Sequence, residues 1–139
     1  MSTTRVLIVE HTPWARRRLS EILGRDPTVT VVAATASTHE AQRVLRSLRP
    51  DVIALDMDLP AEERSTFLEI LGAIHPTPVV MVSTLDSAAA GLTLEALERG
   101  AVSYVPKPTP SAELAHLIIR EVKIAAQATV PQPGPTLLT

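Results

Sequence analysis

Short apolar runs alternate with longer amphipathic stretches five times along this chain of 139 residues. Each run is continuously apolar, which is typical of a strand that is covered on both faces in a parallel sheet. The stretches between the runs place apolar residues at helical spacing. Such alternation predicts an α/β fold, a doubly wound five-stranded parallel sheet with helices on both faces. The predicted strands span Val6–Val9, Val29–Ala34, Val52–Leu55, Val79–Val82 and Val102–Val105.

Capping and helix-breaking residues mark the ends of the predicted helices. Thr12 followed by Pro13 is typical of a helix start, because threonine caps orphan amide groups and proline suits the first turn. Gly100 is typical of the residue just past a helix end. In the third helix four apolar residues are predicted to share one face, namely Phe67, Leu68, Leu71 and Ile74. The predicted helices span Thr12–Gly24, Thr38–Leu48, Ser65–Ile74, Ala88–Arg99 and Ser111–Ala126.

Composition predicts one folded domain with a short tail. We predict a folded domain over residues 1–127 and a proline-rich linker or disordered tail over residues 128–139. The formal net charge of −2 gives no general attraction to nucleic acid or to anionic lipid, so we predict neither as a partner. There is no cysteine for disulfide or thiol chemistry. The sequence has neither a membrane-span pattern nor a signal-peptide pattern, so we expect a cytoplasmic location.

Polar side chains follow four of the predicted strands at the point where each strand ends. Glu10 and His11 come after the first strand, Asp56 after the third, Ser83 after the fourth and Lys107 after the fifth. The carboxyl ends of parallel strands meet at one edge of a sheet, which is where open α/β sheets place their chemistry. In the flavodoxin-like strand order 2-1-3-4-5, the first and third strands are neighbours. We therefore expect Glu10 and Asp56 to lie close together.

The residue types at this edge suit phosphoryl chemistry. Carboxylates hold a hard divalent cation through oxygen ligands. A lysine and a hydroxyl group bind the oxygens of an anion such as a phosphoryl group. Asp56 is then the natural nucleophile for covalent carboxylate chemistry.

Five separated motifs resemble the receiver domains of bacterial two-component response regulators, the CheY-like family, over residues 5–126. Within that family, the segments 77–85 and 92–97 are most similar to the receiver half of chemotaxis protein-glutamate methylesterases. The five motifs are Val6-Leu-Ile-Val-Glu10, Leu55-Asp-Met-Asp-Leu-Pro60, Val80-Met-Val-Ser83, Gly100-Ala101 and Tyr104-Val-Pro-Lys-Pro108.

The resemblance implies a role for four of these residues in a phosphorelay. Asp56 is expected to accept a phosphoryl group from a histidine kinase. Lys107 is expected to pair with that group, and Ser83 to donate a hydrogen bond to one of its oxygens. Tyr104 is expected to change rotamer, together with Ser83, as the domain switches.

The resemblance also implies a magnesium site, but here the sequence departs from the family pattern. The expected ligands are Glu10, Asp56 and the backbone carbonyl of Asp58. His11 stands where the family has a second acid, and imidazole suits zinc, copper or nickel better than magnesium. We therefore expect magnesium binding to be weak or lost. We hypothesise that a protonated His11 replaces the cation by pairing with Asp56.

A second departure concerns the segment that follows the third strand. Glu63 and Arg64 stand where the family usually has aspartate and glycine. An arginine does not readily adopt the positive φ that glycine allows. We therefore expect the loop after the third strand to be reshaped.

Three readings of function remain open at this stage. The first is a regulatory receiver domain, not an enzyme, that is phosphorylated on Asp56. Its partners would be a histidine kinase and either an effector domain or a second copy, bound through the fourth predicted helix, the fifth strand and the last helix. The second is a degenerate receiver, an interaction module that switches without phosphate. The third is a flavodoxin-like small-molecule binding domain, against which the chain has few aromatic residues and no glycine-rich phosphate loop.

Overall fold

The fold is a five-stranded parallel sheet with the strand order β2-β1-β3-β4-β5. The computed structural model describes residues 3–74, 76–83, 102–110 and 114–128. Each predicted strand is confirmed, with boundaries that differ by at most two residues. The strands are β1 Thr4–Val9, β2 Val29–Thr35, β3 Val52–Asp56, β4 Val79–Ser83 and β5 Ser103–Pro106.

Four helices lie within the described residues. They are α1 Pro13–Gly24, α2 Thr38–Leu48, α3 Ala61–Ile74 and α4 Ala115–Ala125. The helix predicted over residues 88–99, the Gly100 cap, the Ser111 cap and the tail from residue 129 lie outside the described residues. None of the described helices is both long and apolar enough to cross a membrane.

The ends of α1 and α2 show two kinds of capping. Ser37 accepts a hydrogen bond from the Glu40 amide at 3.2 Å, which caps α2. Arg49, with φ 44°, ends the same helix in the left-handed region just before Pro50. Thr12 stands at the N-cap of α1, but its side chain makes no capping hydrogen bond. The predicted capping role of the Thr12 side chain is therefore wrong.

Helix α3 begins four residues before the predicted start at Ser65, because the segment that was expected to be a loop is helical. The Arg64 amide donates to the carbonyl of Pro60 at 3.0 Å, which closes the first turn. Glu62 and Glu63 lie in that turn, where acidic side chains favour the positive end of the helix dipole. Arg64 thus lies within a helix and needs no positive φ.

The core forms one layer on each face of the sheet. Strand β3 is buried along its whole length, as its continuous apolar run predicts. In α3, Phe67, Leu68 and Leu71 are buried, whereas Ile74, which was predicted to share their face, is 45% exposed in the last turn of the helix. One layer joins the sheet to α2 and α3 through residues that include Leu7, Leu45, Leu55, Phe67 and Leu71. The other joins it to α1 and α4 through residues that include Ile8, Leu19, Ile22, Ile118 and Val122.

Candidate functional site

Four polar side chains from three strand ends meet at the carboxyl edge of the sheet. Asp56 is the last residue of β3, Glu10 and His11 follow β1, and Lys107 follows β5. The Lys107 amide donates to the carbonyl of Ser83 at 2.8 Å, which holds the end of β5 against the end of β4. Asp56 and Glu10 are both fully buried. The parallel sheet therefore delivers these groups to one place, as the strand order requires.

The ammonium group of Lys107 lies among three carboxylates. Its Nζ is 2.8 Å from Asp56 Oδ1, 3.2 Å from Glu10 Oε2 and 2.8 Å from Asp58 Oδ2. The Lys107 side chain is only 8% exposed. Burial opposes its charge, but the hydrogen bonds to Asp56 and Asp58 outweigh burial and raise the pKa of Lys107. Lys107 is therefore a buried cation that is held by its acidic neighbours.

Both oxygens of Asp56 are engaged, each by different partners. Oδ1 accepts from the Asp58 amide at 2.8 Å and pairs with Lys107. Oδ2 accepts from the His11 amide at 3.2 Å and contacts His11 Nδ1. Burial disfavours the charged form, but hydrogen bonds from Glu10, Lys107 and His11 outweigh it and lower the pKa of Asp56. Asp56 is therefore ionised at neutral pH, as a nucleophilic carboxylate must be.

One carboxylate oxygen of Glu10 has hydrogen-bond partners, and the other has none among the described residues. Oε2 accepts from the Thr12 amide at 3.0 Å and pairs with Lys107. Oε1 is buried and has no hydrogen-bond partner among the described residues. Burial, together with the neighbouring carboxyl group of Asp56, raises the pKa of Glu10. A proton on Glu10 supplies the donor that two facing carboxylates otherwise lack.

Ser83 and Tyr104, the residues expected to switch, lie in different environments. Ser83 is 1% exposed, and its hydroxyl has no hydrogen-bond partner among the described residues. Tyr104 lies in β5 and is 44% exposed. Among the described residues nothing occupies the Ser83 hydroxyl, which suits it to donate to an added group, whereas Tyr104 is partly exposed at the surface.

Two contacts at the site were not anticipated from the sequence. Asp58 was expected to act through its backbone carbonyl, but its carboxylate pairs with Lys107. Arg16 in α1 donates to the carbonyl of Glu10 at 2.9 Å and so fixes the loop after β1. The contact between Asp58 and Lys107 could have been predicted, because Asp58 lies only two residues after Asp56. No sequence signal marks Arg16, because its reach depends on how the loop is folded.

The acidic cluster offers donors of mixed chemistry to a metal ion. One ligand atom from each of Glu10, His11 and Asp56 lies within 4.8 Å of the others. Mg²⁺ prefers near-octahedral oxygen coordination, whereas this set contains an imidazole nitrogen. Lys107 also already pairs with both acids. The donor set therefore departs from the all-oxygen set that Mg²⁺ prefers, and the weak or lost Mg²⁺ binding expected from His11 stays a prediction.

Curated proteins provide two similar relatives. The chain is 40% identical over 131 residues to protein-glutamate methylesterase/protein-glutamine glutaminase 2 of Vibrio vulnificus, covering 91% of this chain and 38% of the relative. It is 43% identical over 133 residues to protein-glutamate methylesterase/protein-glutamine glutaminase 1 of Caulobacter vibrioides, covering 94% of this chain and 39% of that relative. The chain thus spans less than two fifths of either relative's length.

A family profile and a solved structure agree with these relatives. Residues 6–119 match the family described as response regulator receiver domain. The crystal structure of the response regulator domain of Thermotoga maritima CheB superposes with a TM-score of 0.78 at 31% identity. That superposition covers 91% of this chain and 98% of the solved one.

Proposed function

Because the chain belongs to the family of response regulator receiver domains, we propose that Asp56 accepts a phosphoryl group from a histidine kinase. The observation that carries the proposal is the 2.8 Å pairing of Lys107 Nζ with Asp56 Oδ1 at the carboxyl edge of the sheet. The pairing joins a buried ionised carboxylate to a buried cation. Lys107 is thus placed to offset the negative charge of an incoming phosphoryl group.

The proposed transfer uses groups that are already in place. A carboxylate oxygen of Asp56 attacks the phosphorus of a phosphohistidine, the phosphorus–nitrogen bond breaks, and the histidine of the kinase leaves. Lys107 then pairs with the phosphoryl oxygens, and the Ser83 hydroxyl, which is buried without a partner among the described residues, donates to one of them. His11 is 48% exposed, so its ring has room to move aside from Asp56 Oδ2.

The proposed output is a change in the surface that contains β5 and α4. Lys107 directly follows β5, so a change of charge at Asp56 acts on that strand through its own lysine. Such a change shifts the population between two packings of the surface. The partner would be an effector domain or a second copy of this chain. The predicted helix over residues 88–99, which would complete the surface, lies outside the described residues.

The names of the two curated relatives raise the question of whether this chain has hydrolytic activity itself. Both are named as methylesterases, and this chain matches less than two fifths of either. We propose that the matched region acts as a regulatory receiver and carries no hydrolytic activity of its own. The matching test is an esterase assay on this chain, which should show no turnover.

Intact mass spectrometry after incubation with acetyl phosphate tests the phosphoacceptor. We expect the unmodified chain to gain one phosphoryl group and Asp56→Asn to gain none. Asp51→Asn is the matched control, because Asp51 is an exposed aspartate outside the site. Labelling that persists in Asp56→Asn would contradict the assignment of the phosphoacceptor.

A second candidate function rests on the contacts of Asp56 itself. Both of its oxygens already have partners, since Lys107 pairs with Oδ1 and His11 contacts Oδ2. Such an arrangement also suits a receiver that works as an interaction module without phosphate. The two functions differ in one result: the module would bind its effector equally well with and without phosphodonor.

A further inference from the structure

A groove of about 760 Å³ lies between helix α4 and the turn that joins α1 to β2. The helix lines it with residues that recur every three to four positions and therefore share one face. Among the described residues, neither β5 nor the site around Asp56 contributes to the lining. We call this feature the basic groove, and its defining residues are Arg25 and Pro27 from the turn and Ile119, Arg120 and Ile124 from the helix.

The lining of the basic groove is cationic, although the chain as a whole carries a formal net charge of −2. Within the described residues, Arg25, Arg120 and Lys123 line the groove together with a single acid, Asp26. Lys123 Nζ pairs with Asp26 Oδ2 at 3.0 Å, and the amide and hydroxyl of Thr28 donate to Oδ1 at 2.8 and 2.6 Å. The acid is therefore compensated within the wall of the groove. The excess positive charge comes from the two arginines, one on each wall.

The basic groove also presents apolar surface between its cations. Ile124 is 57% exposed, and Ile119 and Pro27 line the groove beside it. Arg120 pairs with Glu121 at 3.5 Å, but its side chain is 65% exposed, so this pair contributes little and can be exchanged for another carboxylate. A partner that covers Ile124 gains the free energy of burying apolar area. The groove therefore offers an apolar contact that is flanked by sites for negative charge.

We propose that the basic groove binds an acidic segment of a partner protein, with carboxylates placed against Arg25 and Arg120 and an apolar side chain placed against Ile124. Charge complementarity favours this occupant over those that the chain itself supplies. A second copy that docked through the same groove would bring like charges together. Residues 129–139 contain neither aspartate nor glutamate, so the tail lacks the complementary charge. The exposed apolar contact favours a protein over nucleic acid, whose phosphate backbone uses the cations alone.

A labelled peptide probes the groove directly. The probe is a fluorescein-labelled peptide of about three helical turns, with leucine and glutamate spaced so that both lie on one face. Titrated into the full chain without phosphodonor, it should shift the backbone amide NMR signals of Arg25, Arg120 and Ile124. The signals of α2 and α3, which pack on the other face of the sheet, should stay in place. Absence of shifts at the groove would overturn the proposal, as would equal shifts from a peptide with lysine in place of glutamate.

Two substitutions at exposed positions separate the charged contact from the apolar one. Arg120→Glu should weaken peptide binding roughly tenfold in fluorescence anisotropy, because an attraction becomes a repulsion. Arg43→Glu, at an exposed position on α2, is the control with the same change of charge. Ile124→Ser should weaken binding roughly fivefold, with Ile74→Ser as the control at an isoleucine that is 45% exposed. Unchanged affinity in Arg120→Glu or in Ile124→Ser would contradict the proposed contacts.

Other occupants of the groove would give different results, and each would overturn the proposal. A dimer of the chain alone in sedimentation equilibrium, abolished by Ile124→Ser, would assign the groove to a second copy. Shifts of the NMR signals of residues 129–139 in Ile124→Ser alone would assign it to the tail. Binding of a DNA oligonucleotide that depends on Arg120 and not on Ile124 would assign it to nucleic acid. No phosphodonor is present in these measurements, so phosphorylation of Asp56 is tested separately.

Discussion

At the scale of single residues, Lys107 is the group on which the site depends. Three carboxylates surround its Nζ, and two of them, from Asp56 and Glu10, are fully buried. A buried ion pair adds little net stability compared with an apolar replacement, because both charges must be desolvated. Removal of one partner is costly, because the charge that remains is buried and uncompensated. The acids and the lysine are therefore interdependent.

We expect Lys107→Met to lower the free energy of unfolding by about 3–5 kcal/mol, because it leaves Asp56 and Glu10 without their cation. Urea denaturation at neutral pH measures the change. Lys123→Met is the control: that lysine pairs with Asp26 at 3.0 Å but is 38% exposed. Its removal should cost no more than about 1 kcal/mol. Equal losses of unfolding free energy in the two variants would show that burial does not increase the contribution of Lys107 to stability.

The lowered pKa of Asp26 should make the stability of the fold depend on pH in the acidic range. The side-chain and backbone hydrogen bonds from Thr28, and then the bond from Lys123, lower the pKa of Asp26 from 3.8 to about 2. A group whose pKa is lowered by folding stabilises the fold above its unfolded pKa, and that contribution is lost as pH falls through the folded value. The stability advantage of the unmodified chain over Asp26→Asn should therefore shrink between pH 4 and pH 2. Thermal denaturation across that range measures it.

The order of causes at Asp26 supplies a sharper control. Since the side-chain hydrogen bond from Thr28 is the leading cause of the lowered pKa, Thr28→Ala should reduce the acid dependence, although the backbone bond from residue 28 remains. An unchanged acid dependence in Thr28→Ala would mean that the threonine hydroxyl does not hold the pKa of Asp26 down.

The residues at strand ends were predictable, and the residues in loops were not. Glu10, Asp56 and Lys107 meet because parallel strands end at one edge, which the alternating pattern already requires. The Asp58 carboxylate and the Arg16 guanidinium reach the site through turns whose dihedral angles the sequence does not specify. The amide of Thr12, and not its hydroxyl, binds Glu10 for the same reason.

At the scale of elements, the turn between β3 and α3 is the segment where the sequence prediction was least accurate. The Arg64 guanidinium donates to the carbonyl of Met57 at 2.6 Å and also to that of Leu59. These bonds satisfy two carbonyls in the turn that carries Asp58. Arg64, which was expected to reshape the loop, thus holds the turn through these bonds and lies within the first turn of α3.

We expect Arg64→Ala to lower the free energy of unfolding by about 1.5–3 kcal/mol, because two carbonyls lose a charged donor. The variant should also loosen the Asp58 contact with Lys107, since both depend on the same turn. Urea denaturation measures the first effect, and amide hydrogen exchange of Asp58 measures the second. Arg43→Ala, at an exposed position on α2, is the control and should change stability by no more than about 0.5 kcal/mol. Unaltered exchange at Asp58 would contradict the role given to Arg64.

At the scale of the whole molecule, the strand count followed from the alternating pattern, and the strand order was expected from the flavodoxin-like topology. Short apolar runs that alternate with helical stretches are typical of buried parallel strands. The connections between such strands are right-handed, which leaves few possible sheet topologies. Patterning does not determine how far a helix extends beyond its apolar face. That is why α3 was predicted too short and why Ile74, predicted to share a face with three residues that prove buried, is 45% exposed. End effects depend on local hydrogen bonds that patterning ignores.

The position of Lys107 predicts how a signal would spread through the sheet. Lys107 follows β5, whose neighbours are β4 and α4, whereas β2 lies at the opposite edge. Phosphorylation converts the singly charged carboxylate of Asp56 into an acyl phosphate of about −1.5 to −2 charge, so it adds about −0.5 to −1 charge beside Lys107. We therefore expect acetyl phosphate to shift the backbone amide NMR signals of β5 and α4, including Tyr104, while those of β2 and α2 stay in place. Asp56→Asn should abolish the shifts. Shifts of equal size at both edges of the sheet would mean that the response is not carried through Lys107.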